Sequence, residues 1–324
     1  MAIVKSAART VLIGACVLCI SPGWAQNYPA KPVRIIVGFS AGSTTDLIGR
    51  VLAAKMVEGL GQPVVVDNRP GAGANIAAEL VSKAPPDGYT VLLANAGLAT
   101  GATAYVKLNF NALRDFAPVT QVSATPHILV THPSLPPKTV KELVAFTRAR
   151  PGELNFASTG HGNSDHLAAE LFSYMTQLKM VHITYKGGPL ALNDLITGQV
   201  AMYFAGLPVA LPLVKAGRVR ALGVTGAKRA AVLPDVPTVA EAGVTGYEHI
   251  LWSMLVVPSA TPRDVVVKLS REAVKVLEAA DVRERYAGMG VDPAPSSPER
   301  AAAYLRSETD KYAKVVKAIG LRIE

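Results

Sequence analysis

Hydrophobic positions along this chain switch between two periods. Short runs of β-branched and other apolar residues at 33–37, 64–66, 90–94, 128–131, 155–157, 182–185, 201–204, 220–224 and 251–257, bounded by turn residues, predict strands. Between them, apolar residues recur at helical spacing over 47–60, 76–83, 140–150, 166–177, 190–197, 207–216, 262–280 and 297–319. This alternation predicts an α/β fold with mostly parallel sheets flanked by helices. So many strands fit two sheets better than one, given ordinary domain sizes, so two lobes with a cleft between them are expected. Proline-rich stretches at 117–126 and 133–137 and a glycine-containing stretch at 243–247 mark where the chain crosses. They place one lobe at 27–124 plus 248–324 and the other at 125–247. No solenoid-period repeat and no low-complexity tract is visible.

The strand-to-helix junctions carry the candidate chemistry. The first strand runs into Gly38-Phe-Ser-Ala-Gly-Ser-Thr-Thr-Asp46, and a helical stretch follows at once. Small residues there let a backbone approach closely, and the helix start offers free N–H groups, so a small anion is the natural ligand. A second loop, Ser158-Thr-Gly-His-Gly-Asn-Ser164, has the same character. Residues 38–42 also spell Gly-x-Ser-x-Gly, which in a strand-turn-helix setting is the nucleophile elbow of α/β hydrolases. Ser40, however, follows the first strand of the exported chain, so no earlier strand carries an oxyanion loop, and only His249 lies late among the histidines. An esterase with Ser40 as nucleophile is therefore the weaker reading, and no catalytic residue is expected. The 68–73 loop lacks the lysine and hydroxyl of a phosphate loop and reads as a structural turn.

Composition narrows the setting. Lys5 and Arg9 precede an apolar run at 11–20 and a small-residue stretch ending at Ala25, the pattern of a signal peptide cleaved after Ala25. That run is too short to span a bilayer, so a soluble periplasmic protein is expected. Too few apolar residues precede Cys16 for a lipid anchor there. The two cysteines, Cys16 and Cys19, both fall in this leader, which leaves no disulfide, thiolate metal site or cysteine nucleophile beyond it. The formal charge is +9, or +7 without Lys5 and Arg9, which favours encounter with anions. Basic residues are interspersed with acidic ones and no nucleic-acid motif occurs, so nucleic acid is not an expected partner. His161 and His166 are five apart without the H-E-x-x-H carboxylate; no metal and no cofactor is expected.

Read in order, several segments resemble the Bug family of extracytoplasmic solute receptors that serve tripartite tricarboxylate transporters. They are Tyr28-Pro-Ala-Lys-Pro32, Phe39-x-x-Gly42-x-x-x-Asp46, Gly61-Gln-Pro-Val-Val-Val-Asp-Asn-Arg-Pro-Gly-Ala-Gly73 and Ala84-Pro-Pro-Asp-Gly-Tyr-Thr90. Then come Ser158-x-Gly160-x-Gly162 with His166, Tyr185-Lys-Gly-Gly-Pro189 with Asp194, Leu233-Pro-Asp-Val-Pro-Thr238 and Val257-Pro-Ser-Ala-Thr-Pro262. The resemblance implies a type II periplasmic-binding-protein (Venus-flytrap) architecture. It further implies a monomer that captures a small carboxylate, or a related polar molecule, without chemistry and delivers it to membrane transporter subunits. An exported sensing module that signals to a sensor kinase would look the same in sequence.

The family holds its ligand through backbone N–H groups, hydroxyls and waters rather than an arginine clamp. Carried onto this chain, the binding residues on one lobe are Phe39, Ser40, Ala41, Gly42, Ser43, Thr44, Asp46 and Asn95. On the other they are Ser158, Thr159, Gly160, Gly162, Asn163, Ser164, His166, Tyr185, Gly187 and Asp194. Asp46 is expected to tie down loop amides rather than touch an anion. The chain departs from the family at Gly38, Ala41, Ser43, Asn163 and Ala260, and if position 43 needs a positive φ, Ser43 must strain or redraw the loop.

Overall fold

The computed structural model describes residues 28–323; the leader expected at 1–25 lies outside them. β1 (Val33–Val37) sends Val33, Ile35 and Val37 into one hydrophobic cluster and Ile36 into another on the opposite face, as a period of two requires. α1 (Thr44–Leu60) begins at a Ser43 cap and stops at Gly61, whose φ of 67° breaks the helix. β2 (Val64–Asn68) pairs parallel with β1, and a 3-10 turn at Ala72–Ala74 leads into α2 (Asn75–Ser82). β3 (Thr90–Asn95) pairs parallel with β1 on its other edge and runs directly into α3 (Ala96–Ala104). α3 escapes the periodicity reading because, apart from Leu98, it is built of Ala, Gly and Thr with little contrast between its faces, and Gly97 and Gly101 are poor helix formers.

β4 (Phe116–Thr131) is a 16-residue strand and serves both lobes. The second lobe follows as α4 (Val140–Arg148), β5 (Asn155–Ser158), α5 (Ser164–Thr176), β6 (Val181–Thr184), α6 (Gly188–Ile196), β7 (Met202–Gly206), α7 (Leu207–Lys215) and β8 (Arg220–Val224). β9 (Ile250–Pro258), α8 (Arg263–Glu278), α9 (Ala280–Gly288) and α10 (Pro298–Ile319) return to the first lobe. Strand order is β2-β1-β3-β9-β4-β7-β5-β6, with β8 also on β4. Parallel pairing holds for β2-β1-β3 and for β6-β5-β7; the antiparallel pairings all involve the crossing strands β4 and β9, so both sheets are mixed.

The stretch read only as proline-rich is the first half of β4. Pro118 and Pro126 donate no ladder bond; a register shift at Pro118/Thr120 accommodates the first, a second shift follows at Gln121/Ser123, and Pro126 falls where the pairing with β9 ends. Up to Pro126 it pairs with β9; from His127 onward it pairs with β7. The chain's way out of and back into the first lobe meet at Thr225, which is fully buried. Its Oγ1 accepts from the His127 amide at 2.8 Å and donates to the His249 carbonyl at 2.6 Å. Each lobe is a sheet with a hydrophobic cluster on both faces. Side chains such as Ile35, Leu52, Phe156 and Phe204 are fully enclosed, each worth about 1.5–3 kcal/mol of burial.

Candidate functional site

On the first lobe the β1–α1 loop is fixed from within. Gly38 allows close packing on the 3-10 turn, since a Cβ there would lie 2.3 Å from that of Ala74. The left-handed position falls on Gly42 (φ 76°), so Ser43 keeps an ordinary extended backbone (φ −67°) and caps α1 by accepting from the Asp46 amide. Ser43 therefore carries no strain. Asp46, 1% exposed, accepts from the Gly42 amide at 2.8 Å, Asn68 Nδ2 at 2.9 Å and Arg50 Nε at 2.9 Å. Burial pushes its carboxyl upward, but Arg50, the Gly42 amide and Asn68 outweigh it and hold the group below its ordinary range. The loop is thus tied by Asp46. The amides of Thr44 and Thr45, in the first turn, have no intrahelical acceptor.

The second lobe repeats the device. Gly160 (φ 133°) and Gly162 (φ 68°) shape the β5–α5 loop, and the buried Asp165 accepts from the Thr159 amide at 2.8 Å and Tyr203 Oη at 3.0 Å. Burial raises the Asp165 carboxyl despite those bonds. Asn163 precedes α5 without capping it. Instead its Oδ1 accepts from Asn95 Nδ2 of the first lobe at 2.8 Å, and its Nδ2 donates to Thr159 Oγ1.

The two loops meet in a closed cleft. The Ser40 amide donates to the Lys186 carbonyl at 3.1 Å, and Tyr105 Oη donates to the His161 carbonyl at 2.9 Å. A Cβ on Gly187 would sit 1.9 Å from Ser40 Oγ, and one on Gly206 2.1 Å from Thr44 Oγ1. Between the jaws remains a cavity of about 30 Å³, space for roughly two waters. Five helices begin at its wall: α1 at Ser43, α3 at Asn95, α5 at Asn163, α6 at Gly188 and α7 at Gly206. Each brings the positive end of its dipole and free first-turn amides. Among the described residues no Lys or Arg lines this cavity. His127 does, and its Nε2 lies 2.9 Å from Ser164 Oγ, which is 3.0 Å from His249 Nε2. Burial holds the His127 imidazole down at about 4.

Of the residues expected from sequence, Phe39, Ser43, Thr44, Asn95, Thr159, Asn163 and Ser164 line the cavity. Gly42 and Asp46 shape the first loop from behind, and Ser158, Gly160, Gly162 and His166 do so for the second. Ser40 lies in the seam between the jaws with an unpartnered Oγ, and Ala41 is exposed. Gly187 faces Ser40, while Tyr185 Oη donates to Asp194 at 2.8 Å, outside the cavity wall. Residues that sequence reasoning missed are Thr45, His127, Asp165, Gly188, Tyr203, Gly206, Val209 and Leu251. Asp165 had a signal, an acid in the first turn after a glycine loop like Asp46, and Gly206 precedes a helix-starting proline. His127 and Leu251 had none, being brought in by the crossing strands.

Behind the second loop three imidazoles gather. His161, His166 and His182 each present a ring nitrogen within 4.8 Å of the others. Burial first, then the neighbouring imidazoles, lower His161 and bring His182 to about 3.

Fold and site together define a two-lobed solute-binding receptor with its pocket between the lobes. Residues 48–321 match the TctC family, the tripartite tricarboxylate transporter family receptor, and the chain belongs to that family. It is 36% identical over 306 residues to BugT of Bordetella pertussis, with 94% of each chain covered. Its structure is similar to R. palustris Rpa4515 with adipate (TM-score 0.88, 35% identity, 91% of this chain and 99% of that one). It is likewise similar to MatC (Rpa3494) from Rhodopseudomonas palustris with bound malate (TM-score 0.86, 30% identity, 89% and 100%). These matches agree with the Bug-family resemblance. Among the described residues no helix is long and apolar enough to cross a membrane.

Proposed function

We propose that this protein captures one small organic carboxylate between its lobes in the periplasm and presents it to the membrane subunits of a tripartite tricarboxylate-type transporter. The observation that carries this reading is the convergence of five helix N-termini on one cavity without a cationic side chain. Such a wall suits an anion small enough to be satisfied by amides and hydroxyls, each dipole adding about 0.3–1 kcal/mol. The relatives with adipate and malate support the ligand class. Thr44, Thr45, Asn95, Thr159, Asn163 and Ser164 are the direct partners in this reading, with Asp46 and Asp165 holding the loops that present them. The remaining space of about 30 Å³ is too small for such an acid, so the jaws part to admit it and re-form around it. In this reading the lobes are 27–124 plus 248–324 and 125–247, a division supported by the change of β4's partner between Pro126 and His127, and residues 1–25 are removed on export. Binding, in the same reading, proceeds without chemistry; the unpartnered Ser40 Oγ, with no base beside it, speaks against the esterase alternative.

A ligand that binds only the folded state raises the melting temperature, adding about 2.7 kcal/mol at 100 times Kd. A thermal-shift screen of malate, adipate, citrate, aromatic acids and amino acids should return at least one acid that stabilises the protein at micromolar concentration. Stabilisation by none of them would overturn the carboxylate reading.

A further inference from the structure

We propose that His161, His166 and His182 form a binding site for one divalent transition-metal ion on the second lobe, behind the loop that closes on the ligand. The three rings come from three places: His161 from the β5–α5 loop, His166 from the first turn of α5, and His182 from β6, which pairs with β5. His166 and His182 lie face to face with centroids 4.0 Å apart, and His161 stands nearly perpendicular to both, 5.6 and 4.8 Å away. Their ligand nitrogens lie within 4.8 Å of one another. Tetrahedral coordination at 2.0–2.1 Å requires a nitrogen separation of about 3.3 Å, so the rings draw together by somewhat more than an ångström. His161, exposed and set between Gly160 and Gly162, is the ring freest to move, and the stacked His166 and His182 rings turn about their side-chain bonds so that their in-plane lone pairs converge on the ion.

Neighbouring groups are arranged as a metal site uses them. Ser158 Oγ pairs with His182 Nε2, which leaves Nδ1 as the free nitrogen of that ring. Glu170, one turn beyond His166 on α5, places Oε1 3.5 Å from His166 Nε2 and can complete the donor set. A metal taken at His166 Nε2 displaces the proton facing Glu170 onto Nδ1. The ring stays neutral and the Gly162 amide, which now donates to Nδ1 at 3.1 Å, loses its acceptor. Occupancy would thereby re-seat the loop carrying Asn163 and Ser164. Imidazole and carboxylate donors without thiolate suit Zn²⁺, Ni²⁺ or Co²⁺. The third ring could not be foreseen from sequence spacing, since strand pairing alone brings His182 beside the other two.

The test uses untagged protein stripped with a chelator, titrated with Co²⁺ and read by visible absorption, with Zn²⁺ displacing it in calorimetry. One equivalent should bind, and His161→Ala and His182→Ala should each weaken it about tenfold or more. His161→Ala removes an exposed side chain, so that variant folds and decides the matter even if the second is destabilised. Absence of stoichiometric binding, or wild-type affinity in His161→Ala, would overturn the site.

Discussion

Asp46 has a role that can be separated from ligand contact. It closes the Gly38–Asp46 loop through three accepted bonds while 1% exposed, so Asp46→Asn should cost about 1–2 kcal/mol of stability in urea unfolding near neutral pH. The sign with pH is fixed by its lowered pKa. The stabilisation is present above the unfolded value of about 3.9 and is lost as pH falls through the folded one, so wild type and variant should converge in acid. A gap that stays constant with pH would contradict this. The role of Asp46 was legible in sequence because an acid in a helix's first turn can reach loop amides. The fate of Ser43 was not. Which residue takes the left-handed conformation depends on how the loop packs against Ala74 and Asn68, and Gly42 takes it, leaving Ser43 free to cap.

At the scale of elements, most strands were readable as short apolar runs buried on both faces and most helices by one periodic apolar face, and the exceptions have identifiable causes. α3 is too rich in Ala and Gly to show a face, and the two prolines of β4 hide a strand that accommodates Pro118 with a bulge and places Pro126 where its pairing with β9 ends. The candidate site was legible where a loop enters a helix, and illegible where strands far apart in sequence deliver a side chain, as at His127, Tyr203 and Leu251. The start of α6 offers a clean test of closure. Gly187 is extended (φ 168°), so alanine is tolerated by its own backbone, but the added Cβ would lie 1.9 Å from Ser40 Oγ and 3.0 Å from Ser40 Cβ. Gly187→Ala should leave unliganded stability within about 0.5 kcal/mol of wild type. The overlap should cost about 1–3 kcal/mol of closure, raising the Kd for the acid found in the screen about tenfold, as calorimetry would show. Unchanged affinity would mean that the jaws need not meet there.

For the molecule as a whole, the crossing between lobes is also where acid should act. His127 and His249 are fully buried there around Ser164, and burial lowers both, His127 to about 4. Their neutral forms favour the folded state above the unfolded value of about 6.5; that stability is lost as pH falls from there through the folded pKa. Urea unfolding should therefore weaken between about pH 6.5 and 4, by up to 1.4 kcal/mol per pH unit for each such group. His127→Gln should lower that slope by about one proton, and an unaltered slope would exclude His127 as its source. The bonds of Thr225 to His127 and His249 have a separate consequence. The segment between those two histidines leaves and rejoins the remainder of the chain within one side chain's reach, so it is an exchangeable cassette. A chimera in which a relative supplies residues 127–249 would cut the chain at only two junctions, and would also have to re-form the seam contacts Ser40–Lys186, Asn95–Asn163 and Tyr105–His161. Its cleft would pair one parent's first jaw with the other's second, a route by which recombination could create new ligand preferences without rebuilding a fold.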